Sequence, residues 1–418
     1  MAPSRRTDRD TFEPGEQLAA PDRRPTRRTV LTALGLGAGG LVLAGASVVG
    51  VRGATNGVWT SGQGDPYELW SAWPNLTGLN AIVAAGVLAA NPHNTQGWRF
   101  HVDGAAADGA VIEVHDDAGR RMPVTDPFSR EHRAGLGCAV ENVVTAARGQ
   151  GVDAAVELLP EASDPEFVAR ITLAAEAAPT SLDRARAEAI AERHTNRGPF
   201  TADPVGPVDL AALEALGDDR ARVVFVTDAA DRTALGDLYV RATEGIVADH
   251  EQSVEGFAWF RNDRADIDRH RDGLTLDAQG LDAFTLAMAK LLPASSRADG
   301  DEFWLASTRD IHTASAAAYG VIVVDDALDP AAQVTGGRLL QRLHLEATRL
   351  GLAFHHMNQV TERIDRARAT GAADDYSDEW SALIGAPAAH GLVSFRLGYP
   401  ERAPRPSPRR PIADVVTT

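Results

Sequence analysis

An unbroken apolar run, Ala81 to Ala90, gives way to the polar stretch Asn91 to Gln96. Alternation follows: Trp98, Phe100 and Val102 are apolar, Arg99 and His101 polar. The first run predicts a helix that Pro92 stops, and the alternation predicts a strand. Asp103-Gly104 marks a turn, after which Val111 to His115 returns as a partner strand. Further along, Arg222 to Val226 and Gly320 to Val324 read as strands, and Leu182 to Glu192 and Leu281 to Leu292 as helices. Strands set among long Ala-rich helices predict an α+β fold.

A longer pattern lies over this one. Gly137-Cys138-Ala139-Val140-Glu141-Asn142-Val143 runs on to Ala147 and Gly151. Gly337-Arg338-Leu339-Leu340-Gln341-Arg342-Leu343, 200 residues later, runs on to Ala347 and Gly351. Both have apolar residues three and four apart and a glycine in the C-cap position, and each precedes a strand-like piece, Ala154 to Leu159 and Leu352 to Met357. Two unrelated amphipathic helices would share the periodicity; the glycines in matched register favour an internal duplication. Residues 250–310 have no counterpart in the first copy. Their aromatic residues Trp259, Phe260, Phe303 and Trp304 sit among charges, which suits either a lid over a site or a surface helical hairpin.

The chain has 418 residues, 44% of them hydrophobic, enough for one large core or two ordinary ones. Its net charge of -17 argues against nucleic acid and anionic lipid surfaces as partners. An anionic ligand would have to be met by local clusters such as Arg193 with Arg197, or Arg409 with Arg410. The lone Cys138 excludes an intrachain disulfide, and its apolar neighbours mark it as a buried structural thiol. Residues 1–25 are polar and expected to be disordered. Arg27-Arg28 then precedes an uncharged, Gly-rich run from Val30 to Val51, which reads as a twin-arginine (Tat) export signal or an uncleaved membrane anchor. Either way the body is expected outside the cytoplasm, with the membrane touched only through this segment.

Two motifs carry the chemistry. His93-Asn94-Thr95-Gln96 offers a row of donors and acceptors between helix and strand, suited to a flat heteroaromatic ring and equally to a plain polar turn. Arg193-His194-Thr195-Asn196-Arg197 puts two cations four residues apart with a hydroxyl between them, a pattern that holds a phosphate or merely ends a helix. The first, Asn91 to Phe100, resembles the flavin loop of the nitroreductase family, with Gly97 where that family usually has Pro; the second resembles its phosphate-binding stretch, with Thr195 for Ser. With the ending Arg396 to Pro411, the likeness extends to the Acg-like FMN-binding subfamily of actinobacteria and runs from about Tyr67 to Val416.

The resemblance implies a nitroreductase-like α+β fold, a mixed sheet flanked by helices and built twice, so that one chain forms the pseudo-dimer around one FMN and stays a monomer. It implies that Asn94, Gln96, Arg193, Thr195, Arg197, His356, Asn358, Arg409 and Arg410 bind FMN. No metal-ligand spacing is recognisable and no side chain is singled out as catalytic, the chemistry being the flavin's. The expected organisation is a linker at 52–64, a first half at 65–180, a second half at 181–400 with the insertion at 250–310, and a basic tail at 401–418 that contributes to the FMN site. Asp126-Pro127-x-x-Arg130-Glu131 is expected to be a plain helix start, with Asp126 as N-cap and Pro127 in the first turn. The implied function is two-electron reduction of nitroaromatic or quinone-like small-molecule acceptors, with NAD(P)H as donor. The alternative is a non-catalytic protein that sequesters or stores FMN.

Overall fold

The computed structural model describes residues 52–175 and 178–418. The segments expected to be disordered (1–25) and to act as signal or anchor (26–51) lie outside the described residues. In chain order the strands are β1 (Trp98–Asp103), β2 (Val111–Asp116), β3 (Val152–Leu158), β4 (Phe167–Ala175), β5 (Ala221–Val226), β6 (Phe260–Arg261), β7 (Leu274–Thr275), β8 (Ala318–Val324), β9 (Ala353–His356), β10 (Gly391–Gly398) and β11 (Val416–Thr417). The helices that position the site are α1 (Gly78–Val87), α2 (Arg130–Gly149), α3 (Ser181–Glu192), α4 (Ala229–Ala248), α5 (His250–Ala258), α6 (Ala283–Leu291), α7 (Arg297–Ser307), α8 (Pro330–Arg349) and α9 (Gln359–Thr370).

One sheet has the order β11-β1-β2-β4-β3 and another the order β5-β8-β10-β9. Apart from β11 the wiring is the same twice: two strands, a helix, two strands, with the last strand inserted between the second and third. Every pairing in these repeated sets is antiparallel. The mixed character comes from β11, where the C-terminal tail crosses from the second half and pairs parallel with β1. Along β1 the expected alternation holds, with Trp98, Phe100 and Val102 buried and Arg99 exposed.

The repeat helices α2 and α8 pack directly on one another. A Cβ on Gly137 would run into the Val334 carbonyl, and one on Gly337 into the Ala134 carbonyl, so only glycine permits this approach. The Cys138 thiol, buried as expected, donates to the Gly337 carbonyl at 3.3 Å, and Gln341 Nε2 donates to Asn142 Oδ1 at 2.7 Å. Both helices are followed by a left-handed glycine, Gly151 and Gly351, each with φ 74°. The largest apolar cluster runs through both halves around this crossing, with a separate one under α4 and α9 in the second half.

The halves differ between their first two strands. Residues 104–110 join β1 to β2, whereas 227–317 lie between β5 and β8, so the excursion is wider at both ends than 250–310. Residues 52–64, expected to be a linker, are fastened to this excursion: Asn56 Nδ2 donates to the Lys290 carbonyl at 2.6 Å, and the Gly62 amide to Asp277 Oδ2 at 3.0 Å. Asp126 is not the residue next to the helix. α2 begins at Arg130 after Ser129 in the left-handed region, and Asp126 Oδ2 reaches forward to accept the His132 amide at 2.8 Å.

Candidate functional site

A cavity of about 250 Å3 opens where the two halves and the excursion meet. This lies just below the ~300–1,000 Å3 typical of small-molecule sites. The first half contributes Ala90 to His93 and the start of α2. The second contributes Thr195, Arg197, His355, His356 and the start of α9, and the excursion adds Phe257, Phe260, Phe303 and Trp304. The Phe257 and Phe260 rings stack with centroids 6.4 Å apart.

Behind one end lies a cationic cluster, of whose arginines only Arg197 lines the wall. Arg193, Arg396 and Arg409 are buried and Arg197 is half-buried, and none has a carboxylate partner among the described residues. Their hydrogen bonds go mostly to carbonyls: Arg193 to Leu88 at 2.9 Å, Arg409 to Ala89 at 3.1 Å, Arg197 to Ala278 at 3.2 Å. Arg193 and Arg409 both lie over the Trp70 ring, 5.5 and 4.7 Å from its centroid. Desolvation lowers Arg193 and Arg197 to about 10, and desolvation together with Arg193 beside it holds Arg409 well below the usual guanidinium range. The histidines are driven neutral: burial, then neighbouring guanidiniums, lowers His93 to about 4 and His194 and His356 to about 3. Arg193 Nε, Arg409 Nε, His194 Nδ1 and His356 Nε2 are buried without a hydrogen-bond partner. Buried polar atoms are nearly always satisfied, so such a group around uncompensated positive charge is matched to an anion. The cluster adjoins the cavity: Arg193 contacts His344 at 3.4 Å, the His344 ring lies 5.4 Å from that of His356, and His356 lines the wall.

The other end is acidic. Glu131, in the first turn of α2, and Glu362, in the first turn of α9, both line the cavity and lie close enough to interact. Burial and the neighbouring Asp126 carboxyl raise Glu131 to about 7; burial and the Glu131 carboxyl hold Glu362 well above the usual carboxylate range.

Of the residues expected to bind FMN, the fold brings Thr195, Arg197, His356 and Asn358 to the cavity wall. Arg193 and Arg409 lie one layer behind, in the cationic cluster. Asn94 and Gln96 do not reach the cavity. Asn94 Nδ2 donates to the Gly273 and Pro408 carbonyls at 3.2 and 3.0 Å, and its Oδ1 accepts from Arg409. Gln96 Nε2 donates to the Arg271 carbonyl at 2.9 Å, and its Oε1 accepts the Arg410 amide at 2.8 Å. Their polar atoms are spent clamping the excursion and the tail onto the first half. Arg410 is turned away as well, with its guanidinium 3.6 Å from Asp117. Gly97 has a local reason: a Cβ there would meet the imidazole of His132, which is held by Asp116 at 2.7 Å. Sequence reasoning missed Glu131 and Glu362. The available signal was an acidic residue within each helix's otherwise buried first-turn face.

No protein-family model matches the chain. A Mycobacterium tuberculosis protein with the provisional name NAD(P)H nitroreductase acg is 26% identical over 344 residues, 81% of this chain and 94% of that one. A second M. tuberculosis protein, also provisionally named an NAD(P)H nitroreductase, is 27% identical over 194 residues, 46% of this chain and 54% of that one. Among solved structures, a nitroreductase with bound FMN from Desulfitobacterium hafniense aligns with a TM-score of 0.34 at 19% identity, covering 56% of this chain and 97% of that one. An FMN-dependent nitroreductase from Mycobacterium smegmatis in complex with NADPH aligns with a TM-score of 0.32 at 16% identity, covering 57% and 99%.

Proposed function

We propose that this chain is an FMN-dependent oxidoreductase of the nitroreductase type, moving two electrons from NAD(P)H to a small acceptor such as a nitroaromatic or a quinone. The observation that carries the reading is the buried cluster of Arg193, Arg409, His194 and His356. It has four unpartnered polar atoms and no carboxylate, in a chain of net charge -17. That chemistry fits the phosphate of FMN, and the names of the M. tuberculosis relatives point the same way. Bound FMN supplies the hydride chemistry.

The protein's part is position, charge and exclusion of water. Arg193 and Arg409 would neutralise the phosphate, each charge-assisted bond contributing roughly 1.5–3 kcal/mol. Thr195, His356 and Asn358 offer a hydroxyl, an imidazole and an amide at the cavity wall. Arg197 presents a fixed positive charge there, stabilising negative charge that develops in a bound ligand. The excursion between β5 and β8 narrows solvent access with its aromatic wall. Because α2 and α8 supply the contact between halves within one chain, the protein acts as a monomer.

The test is to purify the protein, release any cofactor by heat, identify it by chromatography, and add NAD(P)H to the intact holoprotein. One FMN per chain that NAD(P)H bleaches without a mediator supports the oxidoreductase. FMN that NAD(P)H leaves oxidised favours a flavin-storing protein, and FAD or no flavin after reconstitution removes the reading. Export through the twin-arginine route belongs to the same proposal. Among the described residues no helix is long and apolar enough to cross a membrane. Replacing Arg27 and Arg28 together by Lys keeps the charge but not the planar guanidinium pair, and should leave folded protein inside the cell. Unchanged external exposure of that variant would favour an ordinary anchor.

A further inference from the structure

The acidic carboxyls of the cavity take no part in the phosphate site argued above. Glu131 and Glu362 come from helices of opposite halves, and their carboxyls lie together on the cavity wall, close enough for each to bear on the other. Two carboxylates in contact repel unless a proton lies between them. Arg130, the guanidinium that acts on Glu131, is held bidentately by Asp365 at 2.8 and 2.6 Å. The other groups facing the pair are acids or neutral amides. Asp126, on the loop before α2, is itself raised mainly by burial. Glu255 on α5 adds repulsion towards Glu362 while accepting the Thr125 amide at 2.7 Å. Asn358 hydrogen-bonds Glu131 and accepts the Ser394 amide at 2.9 Å. Burial raises both members of the pair, Glu131 to about 7, so the pair holds a proton at neutral pH.

A second observation marks this end as a place for a ligand. Gln359 Oε1 and Gln252 Nε2 line the same cavity without hydrogen-bond partners, on side chains 5% and 1% exposed. They face the cavity together with the aromatic wall of Phe257, Phe260 and Trp304. A flat molecule with one acceptor oxygen for Gln252 Nε2 and one hydrogen-bond donor for Gln359 Oε1 would satisfy both sets of groups.

We propose that the Glu131–Glu362 carboxyl pair is the proton donor to the acceptor reduced in this cavity. The inference rests on the oxidoreductase reading above, and the reductant is the reduced flavin named there. When a quinone takes a hydride, one C=O π bond breaks and the opposite oxygen becomes a phenolate. The pair's O–H bond then breaks, a phenolic O–H forms, and the pair is left with one negative charge. For a nitro group, hydride addition gives an N-hydroxy anion, and the pair's proton lets a water molecule leave and a nitroso group form. The pair regains its proton from solvent through the cavity mouth. Only the acid form acts, so acceptor reduction should slow as pH rises through the pair's titration.

The experiment uses full-length holoprotein whose flavin has been reduced with dithionite, mixed in stopped flow with 1,4-naphthoquinone across pH 5 to 9. Glu131→Gln and Glu362→Gln should each slow reoxidation about ten- to a hundredfold at neutral pH and abolish its pH break, general acid catalysis being worth roughly 10²–10⁴-fold. Bleaching by NAD(P)H should stay within about threefold of the wild type. Glu362→Asp, which keeps an acid, should recover part of the rate and the pH break. Infrared spectra should show a protonated-carboxyl C=O band in the wild type near pH 7 that the double Gln variant lacks. Unchanged reoxidation and pH profile in both single variants, with flavin bound, would overturn the proton-donor role and leave the oxidoreductase reading standing. Wild-type protein that binds no flavin would remove both, and is seen before any variant is made. Failure of NAD(P)H to bleach would count against the oxidoreductase reading, as above, while the role of the pair is still decided on dithionite-reduced flavin.

Discussion

The two halves share strand order, helix placement and the αL glycine after the repeat helix, yet differ about thirteenfold in the length that joins their first two strands, 104–110 against 227–317. The shared parts bury apolar area around α2 and α8 and tolerate little change. The joining segment is where a chain can add residues without disturbing the sheet, since loop closure costs only slowly more with length. In the first half the hairpin stays short and the loop after α1 is left facing the cavity. In the second the excursion crosses over and is clamped to that loop by Asn94 and Gln96. Duplication thus kept the scaffold twice, and divergence at a single hairpin made one composite site with walls from both copies.

The most damaging way to break this equivalence is at the helix crossing. Gly137→Leu should destabilise the protein by about 3 kcal/mol, because the new side chain meets a backbone carbonyl that cannot rotate away. Gly351→Ala, where space is open but φ is 74°, should cost only about 1 kcal/mol. Urea denaturation of both variants gives the comparison. Equal losses would mean that the close approach of α2 and α8 is not what joins the halves.

Much of the scaffold was legible because it is local. The runs before and after the Asn91 loop, the strands at Arg222 and Gly320, and the repeat helices obey periods that a sequence displays. The fate of the polar loop was not. Asn94 and Gln96 have the right groups for a ring, but their partners Arg409 and Arg410 lie more than 300 residues away in sequence, and only the fold shows that the tail takes those bonds first. The excursion read as starting at 250 because α4 looks like any other second-half helix; nothing in its pattern tells that it lies between β5 and β8. Glu131 read as part of a helix start, since a carboxylate in a first turn is ordinary there and its partner Glu362 belongs to the other half.

The second comparison is between the tail and the second half as phosphate ligands. Arg193→Ala and Arg409→Ala should each weaken FMN binding about ten- to a hundredfold while changing riboflavin binding little, the lost group being charge on phosphate. Arg409→Ala should have the smaller effect, since the tail gives up entropy to be held. Titration of flavin-free protein with both ligands decides it, and equal losses for riboflavin would place the guanidiniums away from phosphate.

The cavity's two ends should also oppose one another in pH. His194 and His356, lowered to about 3, and His93, lowered to about 4, stay neutral in the folded protein, whereas unfolded histidine takes a proton near 6.5. Their contribution is present above pH 6.5 and is lost as pH falls from there towards 3–4, by about 1.4 kcal/mol per pH unit for each proton. Glu131, raised to about 7, behaves in reverse: its contribution is present below about 4.5 and lost as pH rises through 7. With three histidines against the acidic pair, stability of the flavin-free protein should fall on acidification below pH 6.5. His356→Asn should flatten that slope by one proton, measured by urea denaturation from pH 4 to 8. A slope untouched by this change would mean that His356 is not held neutral.

The smallest effect should come from the last of the expected flavin ligands. Arg410 meets Asp117 at 3.6 Å with both side chains partly in water, and its other guanidinium bonds are long, 3.4 Å to the Gln96 carbonyl and 3.3 Å to that of Asp414. The bond that fixes this part of the tail comes from the Arg410 main-chain amide to Gln96 Oε1, which any residue but proline would keep. Partly exposed ion pairs contribute about 0–1 kcal/mol. Arg410→Ala should therefore shift stability by less than about 1 kcal/mol and FMN affinity by less than about threefold, while Gln96→Ala, which strips the partners from the Arg410 amide and the Arg271 carbonyl together, should loosen tail and excursion at once. If Arg410→Ala instead cost as much FMN affinity as Arg409→Ala, the guanidinium of Arg410 would have to turn inward when the cofactor binds, and the division of labour between these neighbouring arginines would be a property of the flavin-free state alone.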